Sequence, residues 1–280
     1  LTGRTGERAT PIFRMTYSDL LLPKLKDMIS DGSTTAGIAA TQVTSALGTD
    51  AAVTVLTRHL SPAQEPREAI RIWAAAGMRP LIAEQNVSSS RLTRAVSDLG
   101  RAAQSEASWP VLRQQLASIG SATRNKRTKD SGQLEIMNAG AKNQSTALVA
   151  VIARLQGGDL AMLEVIEPHM REIQAQFLDQ ADPAVLRVLA RTTAPALATL
   201  FEAVLAQWDA ILADQRSAEL AGRSLNRAEV MIGQFDDTLT GDTRTLSPSH
   251  HTSLTNGDNT ELQASQRRWG NIGSLPRYQE

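Results

Sequence analysis

In the stretch LFEAVLAQWDAILADQ, residues 200–215, Phe201, Val204, Trp208 and Ile211 recur at spacings of three and four, and Leu205 and Leu212 widen the stripe. At 3.6 residues per turn this is one apolar face of an α-helix, broad enough to require neighbours. Strands need a period of two and a supply of aromatic and β-branched side chains. Aromatics make up only 4% of the 280 residues, while alanine, the strongest helix former, is abundant. The expected fold class is all-α, an irregular helical bundle.

Punctuation along the chain agrees. In Ser61-Pro62, Asp182-Pro183, Ser108-Trp109-Pro110 and Thr193-Ala194-Pro195, a capping residue precedes a proline suited to the first helical turn. Gly32, Gly77 and Gly120 follow helical runs, where a left-handed cap is wanted. These signals predict helices over 17–30, 50–60, 62–77, 89–105, 109–119, 133–140, 143–156, 159–180, 183–192 and 195–234. Pro168 is expected to kink its helix or restart it. Residues 33–48, small and threonine-rich, are compatible with helix, strand or ordered loop.

The last predicted helix would be a long C-terminal spine. Its apolar seam thins to Ala218 and Gly222 before Leu225 and Ile232 restore it, so Ala218 and Gly222 are candidates for close contact with another subunit. The polar segment SATRNKRTKDSGQ divides an N-terminal helical layer, 1–120, from a bundle core, 134–235, with 121–133 as a basic loop. Residues 236–280, dominated by Ser, Thr, Asn, Asp and Gly, read as an extended or flexible polar tail. Trp269 and Tyr278 near its end are candidate anchors, on another subunit or on this chain's own core.

Charge and composition narrow the function classes. With 29 basic and 29 acidic residues the net charge is zero, which argues against a chain whose main task is to coat nucleic acid or lie on an acidic membrane. The absence of cysteine excludes disulfides, thiolate metal sites and thiol nucleophiles. No run of about 18 apolar residues occurs, so no membrane span is expected. The start, Leu1-Thr2-Gly3, is polar and does not read as a signal peptide. Virion, cytoplasm and periplasm are all allowed.

Reactive constellations are weak. His59, His169, His250 and His251 show no metal-ligand spacing. There is no G-x-S-x-G, and the pairs Glu164/Glu167 and Asp236/Asp237 are of a kind found on any exposed helix. LQGGDL, 155–160, lacks the lysine and third glycine of a phosphate cradle. No catalytic residue, cofactor or metal is therefore expected. The clearest polar feature is RNKRTK, in which Arg124, Lys126, Arg127 and Lys129 are candidates for contact with nucleic acid or an acidic partner, although no aromatic residue is interleaved to stack bases. Arg4 and Arg8 could join them only through the fold.

The leading expectation is a non-enzymatic structural or assembly subunit, a coat, scaffold or secretion-machine component. It would work in a homo-oligomer or larger protein assembly through helix packing and tail docking. A nucleocapsid-type protein that binds nucleic acid through 124–129 is the alternative. An enzyme assembled from scattered carboxylates and histidines is the third.

Overall fold

Caps set where the first helices begin. In the computed structural model, which describes residues 10–83, 87–124, 132–180, 182–243 and 245–279, Thr10 Oγ1 accepts from the Phe13 amide ahead of Pro11. Helix α1 accordingly runs Pro11–Ser30, starting earlier than the apolar pattern implies. The undecided stretch 33–48 is helical. Ser33 caps α2, Thr34–Leu47, and Gly48 ends it in the left-handed conformation at φ 66°. Its buried threonines are tolerated because Thr41 and Thr44 donate to the Gly37 and Ala40 carbonyls at 2.7 and 2.8 Å. Thr49 caps α3, Asp50–Thr57.

The helix expected at 62–77 is displaced to α4, Glu68–Ala83. Pro66 lacks the amide that would bond the Pro62 carbonyl, so a helix begun at Pro62 loses its first internal bond. Ser61 instead closes a turn, its carbonyl accepting from the Gln64 and Glu65 amides. Gly77 lies inside α4 rather than ending it, and the Ser45 hydroxyl of α2 donates to its carbonyl at 2.8 Å. Helices α5, Ser89–Ser105, and α6, Trp109–Thr123, follow, and α7 runs Gly132–Gln156 without the expected break near 141.

Beyond a 3-10 turn at Leu160–Met162 come α8, Leu163–Asp179, which continues through Pro168, and α9, Pro183–Ala206, which continues through Pro195. The short α10, Trp208–Leu212, precedes α11, Gln215–Thr240. Helices α12, His250–Thr255, and α13, Thr260–Trp269, a 3-10 turn at Ile272–Ser274, and α14, Pro276–Gln279, complete the order. All fourteen helices and both turns belong to an all-α fold, with no strand among the described residues.

Two expectations are corrected here. The single spine over 195–234 is interrupted at Gln207 and again at Ala213–Asp214, because Asp214 is an N-cap. Its carboxylate accepts from the Ser217 amide at 2.8 Å and the Ser217 hydroxyl at 2.6 Å, an arrangement that starts a new helix. Nor is 236–280 a loose polar tail. Helix α11 extends to Thr240, and the chain then doubles back along it, with Leu246 against Gly233 and His251 against Gly222. Leu254, Leu262, Trp269, Ile272 and Tyr278 are buried there. The sparse anchors suffice because two of them, Trp269 and Tyr278, are also bonded to the buried carboxylates of Glu229 and Asp236.

The chain forms two compact units, Leu1–Asn143 and Gln144–Glu280. In the first, α1 packs on α2, α2 on α4, α4 on α6 and α6 on α5, while α3 touches α2, α4 and α5. Ile29, Leu56, Ile70, Met78, Leu92 and Leu112 fill its interior. In the second, α11 packs on α8, α9 and α12, and α13 and α14 rest on α9. Phe201 and Phe235 are fully buried, and Phe235 meets Phe177 edge to face at 4.8 Å between ring centres. Helix α9 is long and apolar enough to cross a bilayer by composition, yet most of it is buried in this second core.

Candidate anion-binding groove

The loop between α3 and α4 is pinned by buried ion pairs. Glu65, 2% exposed, accepts from the Arg67 amide at 3.0 Å and from Arg67 Nε and Nη2, both at 2.7 Å, and lies 3.1 Å from His59 Nδ1. Arg67 in turn donates to the Gly32 and Ile29 carbonyls at the end of α1. Burial alone would raise the Glu65 pKa, but the hydrogen bonds and charge of Arg67 hold it below the usual carboxylate range. Desolvation lowers the His59 pKa against the pull of Glu65. Beside this, Arg71 grips Glu106 with two bonds, Nε to Oε2 at 2.8 Å and Nη2 to Oε1 at 3.0 Å, and donates to the Glu65 and Pro66 carbonyls. The loop backbone is thereby locked to α1, α4 and the end of α5.

That fixed loop and α5 form the two walls of an open groove of about 520 Å³. Helix α5 turns Leu92, Val96, Leu99 and Ala103 into the core. The opposite face carries Arg91, Arg94, Asp98 and Arg101, spaced three, four and three apart and so aligned along one side. Arg58 reaches the same groove from the far wall. Among the described residues the lining therefore holds four arginines and a single carboxylate. Asp98 is engaged by Arg101 at 3.0 Å. The guanidinium groups of Arg58, Arg91 and Arg94 have no carboxylate or hydrogen-bond partner among the described residues. A second depression, sharing Thr54, Arg58 and Arg91, adjoins the groove toward α1 and carries Lys26 together with the carboxylates of Asp19 and Asp50, the latter accepting from Ser88.

Arginine presents planar, paired donors that match phosphate oxygens, and several unpaired ones facing a single cleft raise the local potential for anions. Among the described residues no histidine lines the 520 Å³ groove, and its one carboxylate, Asp98, is committed to an ion pair. The chemistry on offer is recognition of negative charge.

Unit 2 holds a different cluster. Glu229, His250 and Glu261 bring metal-ligating atoms within 4.8 Å of one another. Their oxygens are already occupied. Glu229 Oε2 accepts from Ser265 at 2.8 Å and lies 2.7 Å from His250 Nε2, while Oε1 accepts from Arg268 at 2.9 Å and Trp269 at 3.3 Å. Glu261 accepts from the Ser249 amide and hydroxyl, both at 2.7 Å, and from Ser253 at 2.9 Å. A cation would have to displace these donors. A nucleophile relay fails as well, since Ser265 and Glu229 crowd the same ring nitrogen of His250, leaving Nδ1 buried without a partner. A relay needs acid and nucleophile on opposite nitrogens. The same logic recurs two turns on, where Asp236 accepts from Arg277 at 2.6 Å and from the Tyr278 hydroxyl at 3.0 Å. Arg268-Trp269 and Arg277-Tyr278 thus each place a guanidinium and an aromatic donor on one buried carboxylate of α11, fastening the C-terminal strap.

Of the residues singled out from sequence, Arg124 is exposed at the end of α6, while Lys126, Arg127 and Lys129 lie outside the described residues, as do Arg4 and Arg8. Trp269 and Tyr278 are 6% and 8% exposed, docked inside their own unit. Gly222 is buried against His251, and Ala218 is half-buried. Glu167 is buried and bonded by Arg171 at 2.7 Å, and Glu164 pairs with Arg216. His169 is buried with neither ring nitrogen bonded, and desolvation depresses its pKa to about 3. The arginine groove went unread. Its α5 half is visible as the spacing of Arg91, Arg94 and Arg101, but such spacing usually marks a solvated helix face, and Arg58 joins it only through the fold. No protein family, curated protein or solved structure matches the chain.

Proposed function

We propose that the chain is a non-enzymatic binding protein whose N-terminal unit holds a phosphate-bearing polyanion in the arginine groove. The observation that carries this is the convergence of three guanidinium groups without partners, Arg58, Arg91 and Arg94, on one cleft from two walls. Three like charges gathered on one cleft repel one another, and a ligand's negative charge would offset that repulsion. Fluorescence anisotropy with labelled nucleic acid at low salt tests the reading. Binding should weaken as salt rises, and the double substitution Arg91→Gln/Arg94→Gln should reduce affinity about tenfold or more. Absence of binding to any polyanion at low salt would refute it.

An assembly role has its own support. The first half of α1 exposes Ile12, Phe13, Met15, Tyr17 and Leu20, whereas Leu22, Leu25 and Ile29 of its second half are buried. A contiguous apolar surface of this kind is normally covered by a partner. We assign the exposed side to a second copy of this chain, in keeping with a protein that repeats along a polyanion. Light scattering should show self-association that Phe13→Glu/Leu20→Glu abolishes; a strict monomer at high concentration would exclude this role.

A further inference from the structure

We propose that the groove takes the backbone of a single-stranded nucleic acid and reads no bases; this rests on the polyanion reading above and names its ligand. Three features lead to the single strand. Arg91 and Arg101 are ten residues apart on α5, so the arginine row extends about 15 Å along the helix. Arg58 faces this row from the pinned loop, so a bound anion is gripped from two sides, as in a trough rather than on a crest. A duplex carries its phosphates on the outside of a wide rod, with a major groove alone about 12 Å across, and could touch only the rim of a 520 Å³ cleft. An extended single strand can lie along the floor.

The absence of base reading follows from the lining. Among the described residues no aromatic ring borders the groove, so bases have nothing there to stack on. The apolar floor is small, with Leu60, Ala63, Ala95 and Ala102, and among the described residues Gln64 is the one side-chain amide. Phosphate is the one part of a nucleotide for which the groove holds strong complementary groups. Asp98 sets the number of phosphates gripped, since it already neutralises Arg101. Three arginines remain, and each phosphate they neutralise should contribute about 0.7 to the slope of log affinity against log salt for a single strand, or roughly 2 in all.

The test is anisotropy with labelled homopolymers of about twelve nucleotides over a salt series, with duplex DNA, heparin and polyphosphate as competitors. The expected result is a slope near −2, affinities of the different homopolymers within about threefold, and a duplex at least tenfold weaker. Arg91→Gln/Arg94→Gln should flatten the slope to roughly −0.7, and Asp98→Asn, by freeing Arg101, should tighten binding and steepen the slope by about 0.7. All these positions are at the surface, and circular dichroism melts establish that the variants fold. Duplex or heparin binding as tight as single-strand binding would overturn the single-strand assignment while leaving the polyanion reading standing. A strong preference for one base would overturn the backbone-only reading. An unchanged slope in the double variant would place binding outside the groove and overturn the site itself. No binding to any of the probes would remove both proposals together.

Discussion

Glu106 shows how much a single carboxylate can carry in this fold. It is 1% exposed, holds both arms of Arg71, and also accepts from the Ser108 amide at 2.9 Å ahead of α6. Removing one partner of such a pair leaves a buried charge uncompensated, typically at a cost of 3–5 kcal/mol (about the whole margin of many domains). Glu106→Ala should therefore lower the stability of the N-terminal unit by roughly that amount in urea titration. A loss under about 1 kcal/mol would mean that water replaces the pair. At this scale sequence is a poor guide. Arg71, Glu106 and Glu65 look like ordinary surface charges, because nothing local reveals that residues 35 apart meet in the interior. RNKRTK, by contrast, draws attention only because its cations are adjacent in the chain.

Among elements, α11 and the strap that returns along it depend on close approach. A β-carbon at Gly222 would stand 2.7 Å from His251 Cα, a backbone atom unable to rotate away. Gly222→Ala should force α12 off α11 and cost about 1–3 kcal/mol, although alanine is the better helix former by about 1 kcal/mol. A melting temperature equal to or above that of the parent chain would contradict this packing. Helices were largely legible where apolar periodicity and caps coincide, as at α3, α5 and α6. Boundaries failed where one residue outweighed a pattern, as with Pro66 before α4 and Asp214 before α11. The strap resembles a tail in sequence because its apolar residues are few; its fastening depends on Glu229 and Asp236, which carry no sign of burial in the sequence.

For the whole molecule, the buried carboxylates and histidines with shifted pKa values point one way. Glu65, Glu229 and Glu261 all have lowered pKa values: burial alone would raise each, and their hydrogen-bond donors more than offset it. His59 and His169 are lowered by desolvation, His169 to about 3. In every case the unfolded chain takes up a proton more readily than the folded one, so acid favours unfolding. The histidine contribution is complete above about pH 6.5 and is lost as pH falls toward 3; that of the carboxylates is complete above about 4.5 and is lost below it. Melting temperature should hold steady near neutrality and fall from about pH 6.5 downward. His169→Leu should flatten the first part of that fall, since it removes the group with the largest stake there. An acid limb unchanged by this variant would show that His169 is hydrated in the folded chain.

The anchoring of Arg268-Trp269 and Arg277-Tyr278 also has a bearing on the order of events during synthesis. Residues 1–143 can close their own interior while the ribosome is still at work, but the arginine and aromatic donors that fasten Glu229 and Asp236 emerge only with the final stretch. The second half of the protein therefore ripens late. Chains halted before Trp269 should be open to proteases across α11 and, once completed, abruptly become resistant.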